Sequence, residues 1–340
     1  MMLETTVAGS LPKPSWLAEP EKLWPEWRLS GGELEQAKRD ATLIWVKEQE
    51  LAGIDIVSGG EQYRIHFVHG FLEHVNGIDW QKKTKMGIRD NRYVVDVPTV
   101  TSVISRKGKI HSDEARYTRG LTTNGLKFTL PGPMTICDTI ADAHYGSRPD
   151  MAMAFAEILN EEARELEAEG VDAIQFDEPA FNAFPREAAE WGVAMLERAA
   201  AGLKCKSAVH ICYGYGIKAN IEWKQSLGSE WRQYEDFFPA INASTIGQVS
   251  LECANSNVPY HLMGLLRNKD VLVGAIDVAT DRIETPEEVA ATLQKAMEFV
   301  DPERMFPCTN CGMAPLSRAV AVGKLRALGA GAALMRRKLR

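Results

Sequence analysis

The sequence predicts an α/β fold, specifically a (β/α)8 TIM barrel, on three observations. Eight short apolar runs of strand-like composition recur along the 340 residues, helical patterns lie between most of them, and several helices stop at a glycine just before the next strand, as at Gly53 and Gly170. Alternation of this kind builds a parallel sheet covered by helices, and eight such units close into a barrel. With 45% hydrophobic and 25% charged residues, the chain has ample core for one large barrel or two ordinary domains.

Taken in order, the candidate strands are residues 6–9, 54–58, 127–130, 173–177, 207–210, 248–252, 271–276 and 305–307. Helical periodicity covers 33–51, 151–169 and 187–201 between them. The clearest helix start is Thr285-Pro286-Glu287-Glu288, where Thr can cap, Pro fits the first turn and the second Glu completes a capping box. One stretch breaks the alternation. Residues 61–126 are too long for a single crossover and carry the β-rich pieces 93–97 and 99–104, which reads as an inserted β-hairpin or lid between the second and third strands. No Pro/Ser-rich linker or repeat marks a boundary elsewhere, so residues 1–340 read as one domain with that insertion.

Composition excludes several classes of partner. The formal net charge is −7 and the compact basic cluster is limited to Arg336-Arg337-Lys338, so nucleic acid is not an expected partner. The opening MMLETTVAGSLPKP lacks the basic-then-apolar layout of a signal peptide, and no apolar run reaches membrane-spanning length, which places the expected location in the cytoplasm. Six cysteines without a secretion signal then read as reduced thiols available to a metal or to catalysis.

A barrel places its chemistry on the loops after the strand C-termini. Polar residues stand there in turn: Gly9-Ser10, Gly60-Glu61, Pro131-Gly132-Pro133, Asp177-Glu178, His210 with Cys212, Glu252, Asp277 and Cys311. Among them HICYG (His210, Cys212), VSLEC (Glu252) and PCTNCG (Cys311) supply one imidazole, one carboxylate and two thiols, a donor set that suits tetrahedral Zn²⁺. Cys308 and Cys311 form a CxxC that could instead be a redox pair or half of a structural zinc site, although no second CxxC completes it. Cys253 follows Glu252 directly and should turn to the opposite face, and Cys137 and Cys205 have no partner motif. Two thiolates and a carboxylate would leave the zinc site near a charge of −1, poor for activating water but able to deprotonate a substrate thiol while keeping it nucleophilic. That chemistry is alkyl transfer to sulfur.

The segments TTVAGSLPKP, GGEQYRIHFVHG, LPGPMT, IQFDEPAF, HICYG, VSLEC, GAIDV and CTNCG, from Thr5 to about Gly323, resemble in matching order the C-terminal catalytic barrel of the cobalamin-independent methionine synthase (MetE) family. The chain is too short for that family's N-terminal half and more closely resembles the short "core" members, especially the MesD-type group, regarded as folate-independent. The resemblance implies that His210, Cys212, Glu252 and Cys311 hold Zn²⁺ and that L-homocysteine is the methyl acceptor. It further implies that the acceptor's carboxylate meets the turn at Gly9 and Ser10, and that its ammonium lies between Glu61 and Asp177, the orienting catalytic pair. Glu178 is expected beside them, binding substrate or orienting a neighbour. Trp16, His66, Phe67, His69, Met134 and Asp138 are candidates to line the space above.

One departure bears on the methyl donor. The long enzymes carry a histidine after the seventh strand, where this chain reads Asp277-Val278-Ala279-Thr280. The donor is therefore left open between a methyl-corrinoid and another carrier, with or without a partner protein. A coenzyme M-type thiol acceptor would keep the zinc but not need Glu61 and Asp177; a barrel decarboxylase would need neither zinc nor thiols; a structural zinc protein would have a closed site.

Overall fold

The strands of the central sheet are short apolar runs, several buried along their whole length, as parallel strands packed on both faces must be. The structure, a computed structural model, describes residues 2–22 and 25–339. In chain order its strands are β1 Ile56–Val57, β2 Val75–Ile88, β3 Tyr93–Arg106, β4 Gly125–Pro131, β5 Ala141–Asp142, β6 Ala173–Asp177, β7 Lys206–His210, β8 Gln248–Glu252, β9 Asp270–Ile276 and β10 Met305–Thr309. Seven of them form one sheet in the order β1-β4-β6-β7-β8-β9-β10, with every neighbouring pair parallel.

The expected first strand at 6–9 is reduced to a single bridge, Thr6 with Ile56. On its other side the Thr6 amide donates to the Pro307 carbonyl at 3.0 Å, so this segment lies between the two edge strands. The sheet is thus curled in a TIM-barrel-like way with helices outside it. Ladder pairing stops so early because the chain turns: Leu11 N–H donates to Gly60 O, and Ser10 O accepts from Met313.

The helices start where the local chemistry dictates. Thr285 and Glu288 form the expected reciprocal capping box on Pro286–Ala296, and Ser147 caps Arg148–Ala168 through the Asp150 amide, each cap worth about 1 kcal/mol. The helix expected over 187–201 is interrupted by a π turn, Ala188–Gly192, before Val193–Ala200. Among the described residues, no helix is long and apolar enough to cross a membrane.

Within the 61–126 stretch, β2 and β3 pair antiparallel as a long hairpin, with Ile88 opposite Tyr93; β5, which lies beyond that stretch, adds to it as a third strand. Arg89, Asp90 and Asn91, all in the left-handed region at φ 52–61°, make its tip. Register within the curled sheet sets the site: Asp177 at the end of β6 pairs with His210 at the end of β7, and Glu252 at the end of β8 pairs with Gly274.

Candidate metal and substrate site

The imidazole and the two thiols that the sequence singles out converge at one end of the curled sheet. The ligand atoms of His210, Cys212 and Cys311, all buried, lie within 4.8 Å of one another, and the two sulfurs are 3.1 Å apart. His210 is aimed by Ser250, whose Oγ lies 2.8 Å from Nδ1, while Nε2 is buried without a hydrogen-bond partner. A deeply buried, unpartnered ring nitrogen beside two close sulfurs could hold a metal ion, and a hydrogen bond on the second nitrogen is what orients a ligating histidine. The two thiols are shifted in opposite directions. Cys212 is held well below the ordinary thiol range by the hydrogen bond from Cys311 and by nearby His210, and Cys311 is pushed well above it by the same bond and by burial.

Glu252 lies beside this cluster, but its carboxylate is engaged elsewhere. Oε1 accepts from the Tyr213 amide at 2.7 Å, and Lys224 Nζ reaches both oxygens at 3.0 and 3.3 Å. Burial raises the pKa of Glu252, and Lys224 opposes that shift. Lys224, on the helix Lys218–Ser226, was invisible to sequence reasoning because no motif surrounds it.

The carboxylate pair, Glu61 and Asp177, lines the same cavity as the thiols. Glu61 follows Gly60 in an unusual left-handed conformation, φ 59°, and its Oε1 accepts from Thr129 Oγ1 at 2.8 Å. Backbone strain of this kind persists only where the surroundings hold it. Gly9 makes the room: a Cβ there would stand 2.8 Å from Glu61 Oε1 and 2.9 Å from Thr129 Cγ2. Asp177 accepts from Gln175 Nε2 at 2.7 Å, and burial, reinforced by the negative charge of Glu61 and opposed by His210, lifts its pKa to about 7. Ser10 Oγ lies 3.1 Å from Tyr215 OH, a further residue that sequence reasoning missed.

These groups face one cavity of about 360 Å³, lined among others by Ser10, Glu61, Asp177, His210, Cys212 and Cys311. His66, Phe67 and His69 line it as expected, together with Arg89 and Arg92 from the hairpin tip. Both imidazoles are held neutral by burial, His69 with a pKa near 4. Met134, Asp138 and Trp16 do not belong to the lining.

Glu178 also lies off the cavity. Its carboxylate accepts from the Met134 and Thr135 amides and from Thr135 Oγ1 at 2.7–3.0 Å, so it fixes the 133–135 turn instead of facing a ligand. A Cβ at Gly132 would fall 2.2 Å from its carboxyl carbon, which explains glycine there. Cys308 packs with Ala208, Leu272 and Phe306, and Cys253 is buried with its pKa raised by desolvation, so both are core thiols.

A group-transfer site at the mouth of a curled parallel sheet is the working end of a barrel enzyme, and the class here is that of the methyltransferases. More particularly, the chain belongs to the cobalamin-independent methionine synthase family, whose profile "Cobalamin-independent synthase, Catalytic domain" matches residues 3–333. It is 32% identical over 340 residues to a methionine synthase of Thermococcus kodakarensis, covering 99% of this chain and 95% of that protein. A methionine synthase of Sulfolobus acidocaldarius is 30% identical, covering 100% and 94%. The solved B12-independent methionine synthase from Shewanella sp. W3-18-1, in complex with selenomethionine, is 59% identical with a TM-score of 0.98, covering 100% of this chain and 99% of that one.

Proposed function

We propose that this protein is a zinc-dependent methionine synthase that transfers a methyl group to the thiol of L-homocysteine, giving L-methionine, within one cytoplasmic (β/α)8 domain whose 61–126 insertion forms a lid. The observation that carries the reading is the meeting, in a single cavity, of a thiol-rich cation site and a buried carboxylate pair. His210, Cys212 and Cys311 would hold Zn²⁺, with Glu252 as the fourth donor once its carboxylate is released from Lys224. Bound there, zinc lets a substrate thiol lose its proton at neutral pH while the sulfur stays nucleophilic.

The protein's own groups do the positioning. Glu61 and Asp177 receive the ammonium of the amino acid, and its charge favours ionisation of Asp177, whose carboxyl otherwise titrates near neutrality. The turn at Gly9 and Ser10 meets the carboxylate, with Tyr215 fixing the Ser10 hydroxyl. Neutral His66 and His69 and the apolar hairpin face keep water from the sulfur. The sulfur then takes the methyl group in a direct displacement, with orientation supplying much of the rate.

The selenomethionine bound to the Shewanella relative supports an amino-acid ligand of this shape. The test is calorimetric titration of zinc-loaded protein with L-homocysteine and with 4-mercaptobutyrate, which lacks the ammonium. Binding of L-homocysteine at least tenfold tighter is expected; equal affinities would refute the amino-acid reading in favour of another thiol acceptor.

A further inference from the structure

We infer that Lys127, buried inside the curled sheet, is a positioning residue for the substrate's ammonium group, acting on Asp177 through the side chain of Gln175. This rests on the amino-acid reading above and adds to it the residues that hold the receiving carboxylate in place.

β4 and β6 run side by side, with Lys127 opposite Ala173, Thr129 opposite Gln175 and Pro131 opposite Asp177. Residues two apart on a strand share a face, so Ala173, Gln175 and Asp177 form one row that ends at the cavity. Lys127 joins this row from the neighbouring strand. With only a methyl group opposite it at Ala173, its side chain extends one layer toward the strand C-termini, where Nζ donates to Gln175 Oε1 at 2.7 Å. Gln175 Nε2 in turn donates to Asp177 Oδ1 at 2.7 Å. Two backbone carbonyls anchor this chain of bonds: Val7 O accepts from Lys127 Nζ and Ala8 O from Gln175 Nε2.

Donor and acceptor chemistry allows the amide one orientation. An ammonium only donates, whereas a carboxylate and a backbone carbonyl only accept. Gln175 must therefore turn its oxygen to Lys127, which leaves both of its N–H donors for Asp177 and Ala8. The positive charge on the oxygen side polarises the amide and strengthens the bonds on its nitrogen side. Asp177 is oriented in this way by a cation that stands one side chain away. No direct pairing with Lys127 occupies its carboxylate, so the charge stays available to an incoming ammonium.

Packing alone does not explain a lysine here. Lys127 is 1% exposed and Gln175 fully buried, and the two hydrogen-bond partners of Nζ are both neutral. Burial lowers the pKa of Lys127, with Cys308 and Asp177 opposing the shift. A methionine of similar length would fill the same space without a buried charge, and replacements of that kind are often neutral or stabilising. What the ammonium adds over methionine is the direction it gives to Gln175, and through it to Asp177.

The test is calorimetric titration of the zinc-loaded protein with L-homocysteine and with 4-mercaptobutyrate, which keeps the thiol and the carboxylate but lacks the ammonium. Lys127→Met is expected to weaken L-homocysteine at least tenfold, with 4-mercaptobutyrate within twofold of wild type and no fall in melting temperature. Lys127→Gln, neutral but still polar, carries the same expectation should methionine at this position prevent folding. Gln175→Leu should show the same selective loss, and adding Lys127→Met to it should cost less than a further twofold. Unchanged L-homocysteine affinity in the Lys127 variants, or an equal loss of both thiols as a merely structural role would give, overturns the inference. A further tenfold loss in the double variant would show that Lys127 does not act through Gln175 and also overturns it. Wild-type protein that binds the two thiols equally would instead refute the amino-acid reading itself, and this inference with it.

Discussion

Removing the charge of Asp177 separates the needs of substrate from those of the fold. Its carboxyl moves from 3.8 to about 7 on folding because it is buried beside Glu61. Below pH 3.8 both folded and unfolded chains hold the proton, and the residue is neutral toward stability. Between 3.8 and about 7 the unfolded chain ionises while the folded one does not, so stability falls as pH rises. At about 1.36 kcal/mol per pH unit, the accumulated loss in the metal-free protein is about 2 kcal/mol at pH 5 and about 4 kcal/mol at pH 8. Asp177→Asn keeps an acceptor for Gln175 and removes this loss. For the metal-free protein a melting point raised by about 2–4 °C at pH 5 and about 4–8 °C at pH 8 is expected by calorimetry, at roughly 1–2 °C per kcal/mol for a chain of this size. The same variant should lose L-homocysteine binding at least tenfold while keeping its zinc. A melting-point gain that is the same at both pH values would refute the reasoning.

Other perturbations test neighbouring parts of the site. Cys212→Ser and Cys311→Ser should each lower zinc stoichiometry, measured by atomic absorption, and abolish methyl transfer with the circular dichroism unchanged; full activity in both would remove the metal site from the mechanism. Gly9→Ala places a methyl 2.8 Å from Glu61 Oε1 and should weaken L-homocysteine at least tenfold by calorimetry with zinc content intact. Lys224→Met leaves Glu252 buried without its cation. Unfolding of the metal-free variant should show a loss of about 3–5 kcal/mol, most of it restored by zinc; equal zinc protection of wild type and variant would separate Glu252 from the cation site.

Much of this site was legible because its residues end strands. An apolar run with a polar residue at its C-terminus identified Asp177, His210 and Glu252 and put them on one rim, which the registers of β6 to β9 reproduce. Ser250 could have been found the same way, since it stands two residues before Glu252 and alternation turns both to one face. For Glu178 the sequence leaves two roles open, binding substrate or orienting a neighbour, because adjacency to Asp177 does not say which way a carboxylate points; its bonds to the 133–135 amides are of the second kind. The strand at 6–9 shrank to one bridge because tertiary hydrogen bonds at Ser10 and Leu11 replaced the ladder. Lys224 and Arg92 approach from a helix and a hairpin tip, and contacts 28 residues apart or more leave no local pattern.

The most direct test of the central claim is zinc-edge X-ray absorption on the purified protein before and after L-homocysteine, with metal content measured on the same sample. One zinc per chain that gains a sulfur ligand near 2.3 Å is the expected result. A spectrum unchanged by L-homocysteine, or a purified protein without zinc, would contradict thiol activation at His210, Cys212 and Cys311.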